Sequence, residues 1–234
     1  MRTLELFAGS QSFTKGIKRK YVDAECITVD LSHHFKPTHQ VNLLEWDYTI
    51  YPPGHFDIIW GSPPCTQYSK AKTRGVRDLE GSDNLVRRVF EIIDYFKPSA
   101  WIIENVGTGL LVTRMKNIRD VPIYITDYCC YGKPVRKRTA LWSNKTLDLK
   151  LCPGKGKCTQ MIDSKHKSSV GNGRYEIVKI KNNIPYEQFV KKNGIPESLI
   201  DTVINQLKSN LSFYLNVLLP KEQRGNHCTA DGVS

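Results

Sequence analysis

Gly61-Ser62-Pro63-Pro64-Cys65 places a cysteine directly after two prolines. Prolines donate no backbone hydrogen bond and stiffen the chain, so they set the direction of the thiol that follows. A cysteine held this way, with Lys70, Lys72 and Arg74 just downstream, suits a nucleophile whose thiolate is favoured by nearby cations or by the start of a helix. An ordinary turn followed by an inert cysteine fits the tripeptide equally well. Glu104-Asn105-Val106 offers a carboxyl group that can act as an acid near neutral pH if its site is mostly apolar, or that simply caps a helix. Arg136-Lys137-Arg138 precedes the strand at residue 139, and a charge run of this kind is usually a solvated basic turn. Phe7-Ala8-Gly9-Ser10 is a small-residue turn that lets backbone N–H groups approach a nucleotide-like ligand, and Asp30 is an acidic residue of the kind that binds ribose hydroxyls. Each of these two signals has a bland reading, a plain turn and a helix cap. Together and in order they favour an adenosine-containing cofactor.

The elements needed to bring these residues together are legible as alternating apolar runs and helical stretches. Residues 3–7, 25–30, 56–60, 100–103, 123–126 and 139–142 read as strands, and 11–20 as a helix. Leu85, Val89, Ile92 and Phe96 recur at helical spacing, so residues 83–96 form an amphipathic helix that Lys97-Pro98 stops. Strand–helix–strand repetition predicts an α/β fold with a mostly parallel sheet and helices on both faces. Ligands of such sheets bind beyond the carboxyl ends of the strands, where Gly9, Asp30, Cys65 and Glu104 all fall. The expected organisation is a catalytic domain over residues 1–145, a short loop-rich insert over 146–195, C-terminal helices packing back over 196–220, and a frayed tail over 221–234. Within 196–220, residues 196–207 read as a helix and 211–219 as a second apolar segment against the sheet.

The 234 residues, 40% of them hydrophobic, suffice to bury a core, and no apolar run is long enough to span a bilayer. The N-terminus runs straight into a strand and lacks the pattern of a signal peptide, so an intracellular location is expected. Seven cysteines, an odd number scattered through the chain, point to free thiols rather than a disulfide framework. The net charge of +11 favours a polyanionic partner with salt-dependent affinity, although a merely basic surface is consistent with it.

Four of these segments, in this order, resemble the cytosine-C5 DNA methyltransferase family: the Phe-Ala-Gly turn, the Pro-Cys segment, Glu-Asn-Val, and Tyr131-Gly132 leading to Arg136-Lys137-Arg138. Residues 60–80 are similar to viral and phage members. The resemblance implies a Rossmann-like fold using S-adenosylmethionine (SAM), with double-stranded DNA as partner and no metal in the catalytic step. It implies a monomer acting on a flipped-out cytosine. Cys65 would attack C6, Glu104 would hold and protonate N3, and Arg138, supported by Arg136, would bind O2. Phe7, Ala8, Gly9 and Ser10 would line the methionine end of the cofactor. Asp30 would take the ribose, with Leu31 against the adenine, Asn42 at its amino group and Pro64 at the cofactor's border. Residues 70–81 would form a mobile loop, with Lys70, Lys72, Arg74 and Arg77 toward phosphates. A tRNA cytosine-C5 methyltransferase and a catalytically silent nucleic-acid-binding homologue are the alternatives.

The chain departs from the family pattern in several places. Ser10-Gln11-Ser12 replaces a Gly-rich continuation, Asn42 an Asp, and Val135 stands near the usual Gln. Only Lys208-Ser209-Asn210 remains of a late Gly-Asn-Ser motif. Cys152, Cys158 and His166 in the insert raise the question of zinc, with Cys129, Cys130 or Cys228 as a fourth ligand. Their spacing is looser than the Cys pairs of compact zinc sites, so free cysteines in a loop are the expectation.

Overall fold

The computed structural model describes residues 1–162, 164–168 and 194–218, the last segment with side chains as far as residue 207. A seven-stranded sheet has the order β3-β2-β1-β4-β5-β7-β6. Its strands are β1 (Arg2–Leu6), β2 (Glu25–Asp30), β3 (His39–Gln40), β4 (Ile58–Gly61), β5 (Ala100–Val106), β6 (Ile123–Asp127) and β7 (Arg138–Ser143). All pairings from β3 through β5 are parallel, whereas β7 runs antiparallel to both β5 and β6. The link from β6 to β7 holds only a 3₁₀ turn, Tyr128–Tyr131, and is too short for the crossover that a parallel return requires. The order reverses beside β1, so the edge beyond the carboxyl ends of β1 and β4 is a natural crevice.

Both faces of the sheet are buried, and alternate residues serve opposite faces. Along β4, Ile59 joins the core under α2 (Leu79–Phe96) and α3 (Leu111–Ile118). Its neighbours Ile58 and Trp60 join the core under α1 (Ser12–Lys20) and the C-terminal helix α4 (Glu197–Leu218). Phe13 of α1 stacks on Trp60 at 5.2 Å. Helix α2 begins four residues before the position its apolar spacing predicts, because Asp78 accepts the Gly81 amide at 2.8 Å and caps it. Helix α4 is continuous, without the break expected between 207 and 211, and side chains past residue 207 lie outside the described residues. The two-residue strands β8 (Met161–Ile162) and β9 (Lys165–His166) form a hairpin within the insert. Most of the rest of the insert, and the tail from 219 on, also lie outside the described residues. No described helix is long and apolar enough to cross a membrane.

Helix α4 approaches α1 closely at Gly16, where an added Cβ would overlap Ile200 Cγ2. Gly16→Ala is therefore expected to cost about 1–3 kcal/mol in urea unfolding, and Ile200→Ala in that background to return part of it. At the start of α1 the buried Glu5 carboxylate accepts the Phe13 and Thr14 amides at 3.2 and 2.9 Å. Desolvation outweighs these hydrogen bonds and raises its pKa from 4.5 to about 7. The folded chain thus holds this proton more tightly than the unfolded chain, so the stability it contributes is complete below pH 4.5 and is lost as pH rises through about 7. The stability of wild type relative to Glu5→Gln should fall by up to about 3 kcal/mol across that window, read by urea unfolding at several pH values.

Candidate active site

The segment after β4 is held rigidly at its base and exposed at its tip. The Asn105 side-chain amide donates to Pro63 O at 2.9 Å, and the indole of Trp60 donates to Ser62 Oγ at 2.9 Å. The Tyr68 and Ser69 amides close a turn on Cys65 O at 3.1 and 2.8 Å. Pro64 and Cys65 are consequently presented outward. The Cys65 pKa is not lowered as its downstream cations predict. The walls of the crevice push the thiol up, the Lys137 ammonium pulls it down, and the Glu104 carboxylate pushes it up.

The downstream cations take other roles. Lys72 donates to Gln67 Oε1 and Val76 O, and Arg77 donates to the carbonyls of Gln67, Ser69 and Lys72, so both brace the loop from within. Lys70 and Arg74 are exposed, and Val76 at the tip is 94% exposed. The base of the loop is anchored by Tyr68, whose hydroxyl donates to the buried Asp83 at 2.8 Å, while Arg114 Nε donates to both oxygens of that carboxylate at 3.1 and 3.0 Å.

Glu104, 8% exposed, lies at the end of β5 and accepts a hydrogen bond from the Tyr128 hydroxyl at 3.3 Å. The cation nearest to it is Lys137, with Nζ 3.9 Å from Glu104 Oε1 and 3.5 Å from the Tyr128 hydroxyl. Burial pulls the Lys137 pKa down, but Tyr128, Glu104 and Cys65 around it raise it well above the ordinary lysine value. Arg136 and Arg138, the two cations singled out in the sequence, lie instead on Asp127, which has no exposed surface. Arg138 Nη2 is 3.0 Å and Arg136 Nε 3.4 Å from its oxygens. The cause is the two-residue period of an extended chain: 136 and 138 share one side, and 137 faces the other. The structure brings Cys65, Glu104 and Lys137 together and leaves the arginines beside them. A buried acid at 127 was the missing signal, since nothing local distinguishes Lys137 from its neighbours.

The β1–α1 turn, next to the β4 end through the Ser62 amide on Leu6 O at 3.1 Å, carries left-handed backbone at Phe7, Gly9 and Gln11, with φ of 55°, 45° and 56°. Asp30 fixes this turn by accepting the Gly9 amide at 2.9 Å through one oxygen and the Ser32 amide at 2.8 Å through the other. Gln11, a departure from the Gly-rich pattern, ties the turn to the β2–β3 loop by donating to Phe35 O at 2.7 Å. Leu31 is 71% exposed, as a platform for a flat ligand would be. Asn42 accepts the Leu44 amide at 3.2 Å and donates to Glu45 at 3.1 Å, so its side chain is engaged in a local turn. A cavity of about 1000 Å³ opens against Gly9 and Ser10, with Lys15, Lys36 and Lys133 on its walls. Its far side is built by Gly194, Pro196 and Ser198, and the Ser198 hydroxyl donates to Tyr131 O at 3.0 Å. This segment, rather than Lys208-Ser209-Asn210 within α4, stands opposite the Gly9 turn. Its Asn-Gly-Ile-Pro stretch ahead of a helix was the available cue.

A second constellation lies behind Asp127. The thiols of Cys129, Cys152 and Cys158 and the imidazole of His166 have ligand atoms all within 4.8 Å of one another. The Cys152 amide donates to Asp127 Oδ2 at 3.0 Å. Of the fourth-ligand candidates, Cys129 is the one drawn in. Cys130 is outside the group, and Cys228 is outside the described residues.

Residues 1–125 match the family C-5 cytosine-specific DNA methylase. The chain is 38% identical over 177 residues to the probable DNA (cytosine-5)-methyltransferase of Frog virus 3 (isolate Goorha), covering 69% of this chain and 79% of that protein. It is 26% identical over 171 residues to the Type II methyltransferase M.AgeI of Thalassovita gelatinovora, covering 59% of this chain but 38% of that one. The solved structure of Entamoeba histolytica methyltransferase EhMeth aligns with a TM-score of 0.48 and 20% identity, covering 64% of this chain and 56% of that chain. The chain belongs to the C-5 cytosine-specific DNA methylase family.

Proposed function

We propose that the protein is a SAM-dependent DNA cytosine-C5 methyltransferase acting through a covalent Cys65 adduct. The observation that carries this reading is the convergence of a nucleophile, an acid and a buried cation on one crevice: Cys65, Glu104 and Lys137, with Lys137 Nζ 3.9 Å from Glu104. The neighbouring cavity suits the cofactor. Asp30, off the cavity wall but bonded to its Gly9 amide, retains a lone pair on each oxygen for a ribose hydroxyl, and on the wall itself Lys15, Lys36 and Lys133 offer charge to the methionine carboxylate. SAM, when bound, supplies an electrophilic methyl group.

The residues divide the work as follows. Cys65 gives its proton to solvent and forms an S–C6 bond with a cytosine flipped out of the duplex. Glu104, held by Tyr128, hydrogen-bonds and protonates N3 as the ring accepts the electron pair. Lys137, the cation nearest to Glu104, would meet the developing charge at O2, a role that the family resemblance gives to Arg138. Carbon 5 then takes the methyl and N3 returns its proton to Glu104; a base removes the C5 proton, and the electron pair left on C5 re-forms the C5=C6 bond and expels the Cys65 thiolate. Lys70 and Arg74, exposed on the loop, are free to meet phosphates.

Purified protein with labelled SAM should methylate mixed-sequence duplex DNA in preference to total tRNA, and Cys65→Ala should abolish transfer. No transfer to DNA would overturn the reading, and transfer to tRNA alone would move it to the RNA branch. Lys137→Met is expected to lower kcat by about 10²–10³, with Arg136→Ala costing less than about tenfold. Because Lys137 holds the Cys65 thiol down, Lys137→Met should also move the alkaline rise of kcat/KM to higher pH.

A further inference from the structure

We propose that Cys129, Cys152, Cys158 and His166 bind one structural zinc ion that fastens the insert after β7 to the catalytic domain. His166 Nε2 lies 3.5 Å from Cys152 Sγ and 3.6 Å from Cys158 Sγ. A tetrahedron with Zn–S near 2.3 Å and Zn–N near 2.0 Å has N–S edges of about 3.5 Å and S–S edges of about 3.8 Å. The observed spacings fit it, and no pair among the four exceeds 4.8 Å.

The ligands come from three pieces of chain, each positioned by its own backbone. Cys129 lies in the 3₁₀ turn after β6. Cys152 is held by the bond from its amide to Asp127. Cys158 closes a turn on Gly154 O at 3.0 Å, and Gly154 and Gly156, with φ of 83° and 76°, let residues 152–158 fold back so that both thiols face one point. His166 is delivered by β9, opposite Met161. The six-residue separation that looked too loose in the sequence is thus shortened by two left-handed glycines.

The chemistry of the set is selective. Three thiols and an imidazole, with no carboxylate, favour zinc over magnesium or calcium. Four protein ligands leave no position for water or substrate, so the site is structural rather than catalytic. Among the described residues from 150 to 168, none is buried. Leu151 and Ile162 are 54% and 60% exposed, and strands of two residues do not sustain themselves. Small units without a core depend on such staples. The attachment point also matters. Cys129 follows Tyr128, which donates to Glu104, and Asp127 carries both arginines as well as the Cys152 amide. The ion would therefore lock the insert against the two residues that flank the catalytic crevice.

The test uses the full chain, produced with zinc and kept under reductant. Elemental analysis should find about one zinc per chain. Cobalt substituted for zinc should give the intense visible and thiolate charge-transfer bands of a tetrahedral sulfur-rich site. Cys158→Ser and His166→Ala should each lower zinc content at least tenfold, whereas Cys130→Ser, next to the site but outside it, should keep it. If a variant fails to fold, the wild-type cobalt spectrum still decides. Wild type that takes up neither metal after reduction and remetallation, with its thiols titrating as free, overturns the proposal. So does a disulfide among these cysteines that persists under reductant, or full zinc retention by Cys158→Ser.

Discussion

Asp127 is a carboxylate with no exposed surface, and the layout of the crevice follows from satisfying it. Removing a carboxylate from water costs several kcal/mol unless charge and hydrogen bonds replace the lost hydration. Here Arg138, Arg136 and the Cys152 amide converge on its two oxygens. Burial pushes the carboxyl up, but the hydrogen bond from Arg138, the Cys152 amide and the two guanidinium charges carry it below the ordinary aspartate value. Because both arginines must turn to one side of the extended chain, Lys137 must turn to the other, toward Tyr128, Glu104 and Cys65. The same carboxylate sets the start of the insert through Cys152. Asp127 thus decides which cation faces Glu104 and Cys65 and where the insert after β7 is tied to the sheet.

Much of this arrangement is legible in the sequence wherever the signal is local. The Pro-Pro-Cys turn, the Glu-Asn-Val strand end and the Gly9 turn each carry their geometry in a few adjacent residues, and they arrive at one edge because parallel strands share a direction. Two kinds of information are not local. The phase of β7, whether 136 and 138 or 137 faces the crevice, depends on a partner on β6, and a shift of one residue reverses every side chain. The grouping of Cys129 with Cys152, Cys158 and His166 depends on β6 and the insert meeting behind the sheet, so spacing along the chain understates it. The antiparallel β7 belongs to the same class, since its direction is set by the absence of a crossover rather than by its composition.

Lys137, the cation that faces Glu104 and Cys65, illustrates how environment outranks residue type. An arginine would present a planar fork to a carbonyl edge, whereas lysine presents a compact charge whose protonation depends on what surrounds it. Burial pulls the Lys137 pKa down, Tyr128, Glu104 and Cys65 push it up further than that, and its ammonium also sits 4.8 Å from the Tyr128 ring centre. Cys65 and Lys137 are consequently linked, so a change at either one shifts the pKa of the other.

The close fit of α4 over Gly16 has a consequence for how the protein is made. Residues 194–198, which lead into that helix, form the wall of the cavity opposite the Gly9 turn, so the first and last described segments of the chain enclose one space. During synthesis, a nascent chain that has left the ribosome only as far as β9 already holds the whole sheet and the nucleophile, but only half of that enclosure. The apolar face of α1 that will receive Leu199, Ile200 and Val203 stays uncovered until they emerge. That interval, more than the finished structure, is when this chain is most exposed to aggregation and to chaperone capture.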